Sequence, residues 1–293
     1  MPTVDTRAGT LTYQDHGPDQ HRGPVLILLH ATLHSHHDFD AIAPTLARDH
    51  RVISLDWPGC GDSAPATDPA GLTAPLFADA LEDLVDHLDV PKVALIGNSV
   101  GGFAAARLAI NRPDQVAGLV LVQTGGFMPM NVAARLFCRV MGTPAIFKVL
   151  APLFIRAYMK PQTALDHEIV NRTRALEHTT AGRLQGAALW RSFAGPDHDL
   201  RTRAAGLATP TLIVWGRRDI AIPLAAGRAA HAAIPGSRFE LLDTGHVSFA
   251  SAPDEFLALV QPFLAIISEQ ITHENESAPC LRQVGGQTET RGT

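Results

Sequence analysis

Val93-Ala94-Leu95-Ile96-Gly97-Asn98-Ser99-Val100-Gly101-Gly102 is the stretch that decides how this chain reads. The apolar run Lys92 to Ile96 has the character of a buried strand. Phe103 to Asn111 is helix-compatible and stops before Pro113. Between them, Gly97 and Gly101 flank Ser99 where a side chain would collide with a sharp strand-to-helix turn. Such a corner pushes the Ser99 hydroxyl out of the sheet and aims a helix N-terminus, with its free N–H groups, at the reaction centre. The pattern is G-x-S-x-G. Five residues can match by chance, and a Gly-Ser loop after a strand is often only a turn, so the surrounding strand and helix carry the argument.

A serine hydroxyl is a poor nucleophile at neutral pH; it needs a base, and the base needs an orienting acid. In a fold with this elbow, the partners follow in the order Ser, Asp or Glu, His. Thr211-Leu-Ile-Val-Trp-Gly216 reads as a strand followed by Arg217-Arg218-Asp219, which places Asp219 in a loop at a strand's C-terminal end. The next strand ends near Asp243 and leads to Thr244-Gly245-His246. Ser99, Asp219 and His246 are therefore the candidate catalytic triad. Asp219 could instead pair with Arg217 or Arg218. Asp243 is a rival acid, but it lies awkwardly close in sequence to His246. An oxyanion hole needs backbone N–H donors: Val100, just after the nucleophile, and Thr32, in the loop after strand Val25–His30.

Around this centre, short β-type runs alternate with helix-period segments. Candidate strands are Leu11–Gln14, Pro24–His30, Arg51–Asp56, Lys92–Gly97, Val116–Val122, Thr211–Gly216 and Ser237–Leu242. Several are almost wholly apolar, as in parallel strands covered on both faces. Phe77, Leu81, Leu84, Val85 and Leu88 form one helical stripe, and Glu255 through Ile267 forms another helix. The fold class is α/β: a mostly parallel central sheet with helices on both faces. After Gly126 the alternation breaks, and Leu136–Met141, Ile146–Tyr158 and Ala187–Phe193 read as helices. The expected organisation is a core of residues 1–126 and 208–270, a helical cap at 127–207, and a polar, disordered tail at 271–293. Met128, Met130, Met141 and Met159 fall in the cap, where they could either fit an apolar ligand or fill a small core.

Composition narrows the classes. The 293 residues carry 24 Lys plus Arg against 29 Asp plus Glu, with no dense basic block, which disfavours nucleic-acid binding. No apolar run is long enough to span a bilayer. The start lacks the apolar core of a signal peptide, so a cytoplasmic location is expected. Cys60, Cys138 and Cys280 are too few and too widely spaced for a disulfide framework; packing is the expected role of Cys138 and the favoured one for Cys60, which could also line a site, while Cys280 lies in the expected tail. Oligomeric state is left open.

Taken together, these residues resemble the α/β-hydrolase superfamily, in its serine-nucleophile branch. Asp56-Trp57-Pro58-Gly59-Cys60-Gly61-Asp62-Ser63 is similar to its D-x-x-G-x-G-x-S loop, Gly216 to Pro223 to its G-x-x-D-x-x-x-P stretch, and Gly245-His246 to its G-H pair. One departure is His30-Ala31, where many members have His-Gly; alanine is costly wherever positive φ is needed. The resemblance implies a serine hydrolase working through an acyl-enzyme on a small-molecule substrate, without metal or organic cofactor. A small apolar carboxylic ester is placed first. Gly97-Asn98-Ser99-Val100-Gly101-Gly102 and Thr124-Gly125-Gly126 are also similar to carbon–carbon hydrolases of aromatic ring cleavage. In those enzymes a cap Arg binds an acidic dienoate, and Arg191 beside Trp190 is the counterpart here. The expected pocket comprises His30 and Asn98 near the triad, with Phe127, Met128, Met130, Phe137, Trp190, Arg191 and Phe193 from the cap.

Two rival signals remain. His34, His36 and Asp38 fit H-x-H-x-D, a zinc-binding pattern, although Phe39 stands where a second histidine usually follows. The favoured alternative is a helix start with Ser35 as N-cap and exposed histidines. A hydrolase-fold protein that only binds ligand would be expected to have a damaged triad, and here all three residues are intact.

Overall fold

The computed structural model describes residues 1–18 and 23–277. An eight-stranded sheet runs in the order β1-β2-β4-β3-β5-β6-β7-β8. Its strands are β1 (Thr3–Thr6), β2 (Gly9–His16), β3 (Val25–Leu29), β4 (Val52–Leu55), β5 (Val93–Asn98), β6 (Val116–Val122), β7 (Thr211–Gly216) and β8 (Arg238–Leu242). β1–β2 and β2–β4 pair antiparallel; every other pairing is parallel. All seven expected strands are present. β1 is additional: it has four residues, a single buried side chain (Val4) and an edge position, too little apolar alternation to stand out in the sequence.

Helices cover both faces. They are α1 (Ala43–Leu46), α2 (Ala74–Leu88), α3 (Val100–Asn111), α4 (Val132–Met141), α5 (Pro144–Met159), α6 (Ala164–Glu177), α7 (Thr180–Phe193), α8 (Arg201–Ala204), α9 (Leu224–Ala233), α10 (Ser248–Ser251) and α11 (Pro253–Ser277). β3, β4, β5 and β7 are buried along their whole length. Alternate residues of β3, β5, β6 and β7 split between two cores. Ile27, Leu95, Leu121 and Ile213 pack with α2, α3 and α9; Leu28, Ile96, Val122 and Val214 pack with α10, α11 and part of the segment between β6 and β7.

α2 starts where the Thr73 hydroxyl accepts the Leu76 N–H at 3.2 Å, and it buries Phe77, Leu81, Leu84 and Val85 as its spacing requires. α4 to α8 fill residues 127–207 with no intervening strand. Of these, α6 escaped sequence reading because its run is largely polar; a capping box of Thr163 and Asp166 fixes its start. α11 continues to Ser277, past the boundary expected at residue 270, so the tail expected at 271–293 begins as helix. The rest of that tail, with Cys280, lies outside the described residues. No single helix among the described residues is long and apolar enough to cross a membrane.

Candidate active site

β5 enters α3 through Ser99, whose backbone sits at φ 56° and ψ −114°. That conformation is costly for a residue with a side chain, and its surroundings hold it in place. The Ser99 N–H donates to Val122 O (3.1 Å), while Ser99 O accepts from Phe103 N (3.0 Å) and Gly125 N (2.9 Å). The two flanking glycines are sterically required. A Cβ on Gly97 would lie 2.5 Å from Gly101 O, and one on Gly101 would lie 2.3 Å from Leu29 O.

Asp219 and His246 come from the loops after β7 and β8. His246 Nδ1 is 2.7 Å from Asp219 Oδ2. The other carboxylate oxygen accepts from Ala221 N (2.7 Å) and Ile222 N (3.4 Å), which fixes the orientation of the acid. Both side chains are buried. Asp219 pairs with neither neighbouring arginine: Arg218 instead binds Asp243, with Nε–Oδ1 at 2.8 Å, which also occupies the rival acid. The His246 N–H donates to Tyr158 O (3.1 Å), and the Tyr158 ring meets the imidazole edge-on at 5.0 Å between centroids.

Ser99 and His246 open on one cavity. Its space open to the centre of a water molecule is about 90 Å³, against the roughly 10–15 Å³ that one bound water needs. Thr32 and Val100 line it, and Val100 is the first residue of α3, where N–H groups lack intrahelical acceptors. Of the expected pocket residues, Met128, Met130, Trp190 and Phe193 also line it. Phe147, Phe154, Ile155 and Tyr158 add an apolar wall from α5, and Cys138, Thr173 and His198 contribute as well. No Asp, Glu, Lys or Arg lines the cavity among the described residues. The α5 wall was open to sequence reading, since Phe147, Ala151, Ile155 and Tyr158 recur at helical spacing. His198 and Thr173 carried no such signal.

Five expected pocket residues sit elsewhere. His30 lies beneath the loop, with Nδ1–H donating to Ala31 O (2.7 Å) and Nε2 accepting Trp57 N–H (3.0 Å). Burial pushes its imidazole down to about 4. Asn98 is fully buried and ties two segments together, its Nδ2 donating to Val122 O and His246 O, both at 3.0 Å. Phe127 lies in the core on the α2–α3 side. Phe137 is half-exposed, packed against Phe154 and Trp190 from outside. Arg191 turns away and donates to Gly142 O and Ala70 O. Cys60 is a buried packing residue as expected, whereas Cys138 reaches the cavity. The methionines divide: Met128 and Met130 face the cavity, while Met141 and Met159 are core.

In the segment after β3, Leu33 rather than Ala31 takes the positive φ (63°), so the His30-Ala31 departure meets no backbone penalty at Ala31. Ser35 does stand at the N-cap position, with Asp38 in the first turn, but the element it starts is only a 3₁₀ turn, His36–Phe39, and its side chain makes no capping bond. Contrary to expectation, His34 and His36 are buried, and His37 is half-buried. They are drawn inward by separate carboxylates. His34 Nδ1 meets Asp38 Oδ2 (2.5 Å) and its Nε2 meets the Tyr158 hydroxyl (3.1 Å), whereas His36 Nδ1 meets Asp56 Oδ2 (2.7 Å). The H-x-H-x-D residues therefore do not converge. A different group, His36, Asp56 and Asp62, brings potential ligand atoms within 4.8 Å of one another. Asp56 there already accepts from His36 N, His36 Nδ1 and Asp62 N. Burial works against its ionisation, but the His36 bond and the nearby imidazole charges hold it below the usual carboxylate range.

Comparison with known proteins agrees with this fold. A family model described as the alpha/beta hydrolase fold matches residues 24–141. A 2-hydroxy-6-oxononadienedioate/2-hydroxy-6-oxononatrienedioate hydrolase of Escherichia coli is 32% identical, covering 76% of this chain and 80% of that protein. The uncharacterized protein Rv2715 of Mycobacterium tuberculosis is 28% identical, covering 92% of this chain and 84% of its own. The solved enol-lactonase from Burkholderia xenovorans LB400 superposes with a TM-score of 0.77 at 22% identity, over 90% of this chain and all of that one.

Proposed function

Since the chain belongs to the alpha/beta hydrolase family and is a hydrolase, we propose that it cleaves small apolar carboxylic esters through an acyl-enzyme on Ser99. The observation that carries this reading is the 2.7 Å His246–Asp219 bond at a cavity also lined by Ser99. With Nδ1–H committed to Asp219, Nε2 of His246 is the ring's basic atom. Ser99 Oγ attacks the acyl carbonyl as His246 takes its proton; the Val100 and Thr32 N–H groups receive the oxyanion; His246 then protonates the departing alkoxide. Water, activated by the same imidazole, releases the acid. Asp219 holds the tautomer and stabilises the imidazolium.

The helices at 127–207 act as a cap that selects substrate. Their wall of Met, Phe, Trp and Ile, without a cation, favours a neutral apolar acyl or alcohol group. The second reading is carbon–carbon hydrolysis of a dienoate, favoured by the Escherichia coli relative. The side chain expected to hold the substrate's carboxylate, Arg191, is tied to Gly142 O and Ala70 O, which ranks that reading second. A panel of short esters assayed beside ring-cleavage dienoates separates the two. Ser99→Ala is expected to lower ester turnover by about a millionfold and to abolish labelling by a fluorophosphonate. Substantial turnover by that variant overturns the mechanism; wild-type protein that neither takes the label nor turns over substrate is a binding protein.

A further inference from the structure

Seven of the ten large apolar side chains exposed among the described residues belong to two adjacent helices, α4 and α5. On α5, Ile146, Val149, Leu150 and Leu153 recur at i, i+3, i+4 and i+7, forming an outward arc, while Phe147, Ala151, Ile155 and Tyr158 face inward. On α4, Val132 and Leu136 are a turn apart, and Val132 is 84% exposed. Phe137 links this surface to the cavity, because it packs on Phe154 and Trp190, both of which line it.

The charge of the same region is one-sided. Residues 127–165 contain Arg135, Arg139, Lys148, Arg156 and Lys160 and no Asp or Glu, in a chain whose net charge is −5. All five cations are exposed. Helical spacing sets Arg135 and Arg139 beside Val132 and Leu136, and sets Arg156 beside Val149. An apolar arc with basic flanks is the chemistry of a helix lying in a lipid headgroup layer. The two helices meet at 101°, which suits lying along a surface rather than crossing it.

From this we infer that the α4–α5 face seats the enzyme on an anionic lipid surface, from which apolar ester enters the cavity beneath Phe137. The part concerning the ester rests on the hydrolytic reading above; the docking part stands on the surface alone. Electrostatics attracts the face and the apolar side chains insert, so both should matter to binding.

The test is flotation of the full chain with vesicles of phosphatidylcholine alone and of phosphatidylcholine with phosphatidylglycerol. Binding is expected only to the anionic vesicles, and it should weaken at about 0.5 M salt. The pair Val149→Asp and Leu153→Asp, and separately the triple Arg139→Gln, Lys148→Gln and Arg156→Gln, should each lower partitioning by about tenfold or more. Both variants should keep wild-type turnover of a short water-soluble ester, which also reports that they fold, and lose turnover of a long-chain ester presented in vesicles. Failure to float with anionic vesicles overturns the proposal. So does a concentration-dependent dimer that Val149→Asp and Leu153→Asp dissociate, since the face would then belong to a second copy. Flotation without turnover of any ester leaves the docking face standing and removes the hydrolytic reading.

Discussion

The rim of the sheet and the helices between β6 and β7 meet at one cavity but are built on opposite terms. At the rim, each functional group is fixed by backbone. Ser99 is gripped by Val122 O and Gly125 N, Asp219 by two amides, and His246 by Tyr158 O and Asn98. In the helical segment, side chains meet mainly through apolar and ring contacts: Trp190 meets Phe137, Phe154 and Phe193 edge-on, with centroids 5.4–5.6 Å apart. Backbone bonds define one geometry, whereas apolar contacts tolerate replacement at similar volume. Under the proposed mechanism, that contrast matches chemistry at the rim and choice of substrate in the helices.

The sharpest way to break that division is Asp219→Asn. The amide can fill the same space and still accept from Ala221 N, but it cannot stabilise an imidazolium. We expect kcat to fall by about ten-thousandfold with KM little changed. A stopped assay on the best ester from the panel measures both. A change mainly in KM would move Asp219 out of the reaction and weaken the distinction between the two regions.

Acid should test both regions together, because each buries a neutral histidine. Burial pushes His30 at the rim and His198 beside the helical wall down to about 4, from an ordinary 6.5. In both, Nε2 accepts a backbone N–H, from Trp57 and Gly126 respectively, so protonation breaks a bond. The unfolded chain takes up these protons first. Stability should therefore be full above pH 6.5, decline as pH falls from 6.5 to 4, and level off below. Each residue contributes on the order of 3 kcal/mol to that loss. His36 has the opposite sign. Burial lowers it, but the Asp56 bond and charge outweigh burial and raise it overall, so its contribution is present below 6.5 and lost as pH rises through its folded value. Urea midpoints across this range should show the net decline. His198→Gln, which keeps an acceptor for Gly126, should flatten it, and an unchanged slope would discard His198 as a source.

The two regions also differ in how far the amino-acid sequence announced them. At the strand ends, backbone geometry demands a glycine at 97 and at 101, which makes that corner readable. An acid after β7 and a histidine after β8 were readable for another reason: a serine nucleophile needs a base and an orienting acid in that order. Cavity lining depends on how helices rotate over the rim, which spacing alone does not fix. Phe127 and Phe137 were equally plausible as lining, yet one went to the core and the other outside. Arg191 followed unsatisfied carbonyls at Gly142 and Ala70. His34 was misread as exposed because its partners, Asp38 and the Tyr158 hydroxyl, include one 124 residues away. Local pattern reports a residue's neighbours in the chain; a buried polar network is assembled from distant ones.

The smallest expected effect compares one glycine from each region. A methyl at Gly101 would sit 2.3 Å from Leu29 O, so β3 or the start of α3 must move. Gly101→Ala should cost about 1–3 kcal/mol of stability and, by shifting Val100 and Ser99, lower kcat as well. Gly206, just after α8, has nothing within 4 Å of the same position, and Gly206→Ala should change stability by no more than about 0.5 kcal/mol. Urea unfolding of the two variants side by side provides the reading. Equal effects would mean that α3 can slide along β3, and the rim would then owe its geometry to something other than the close approach of two backbones.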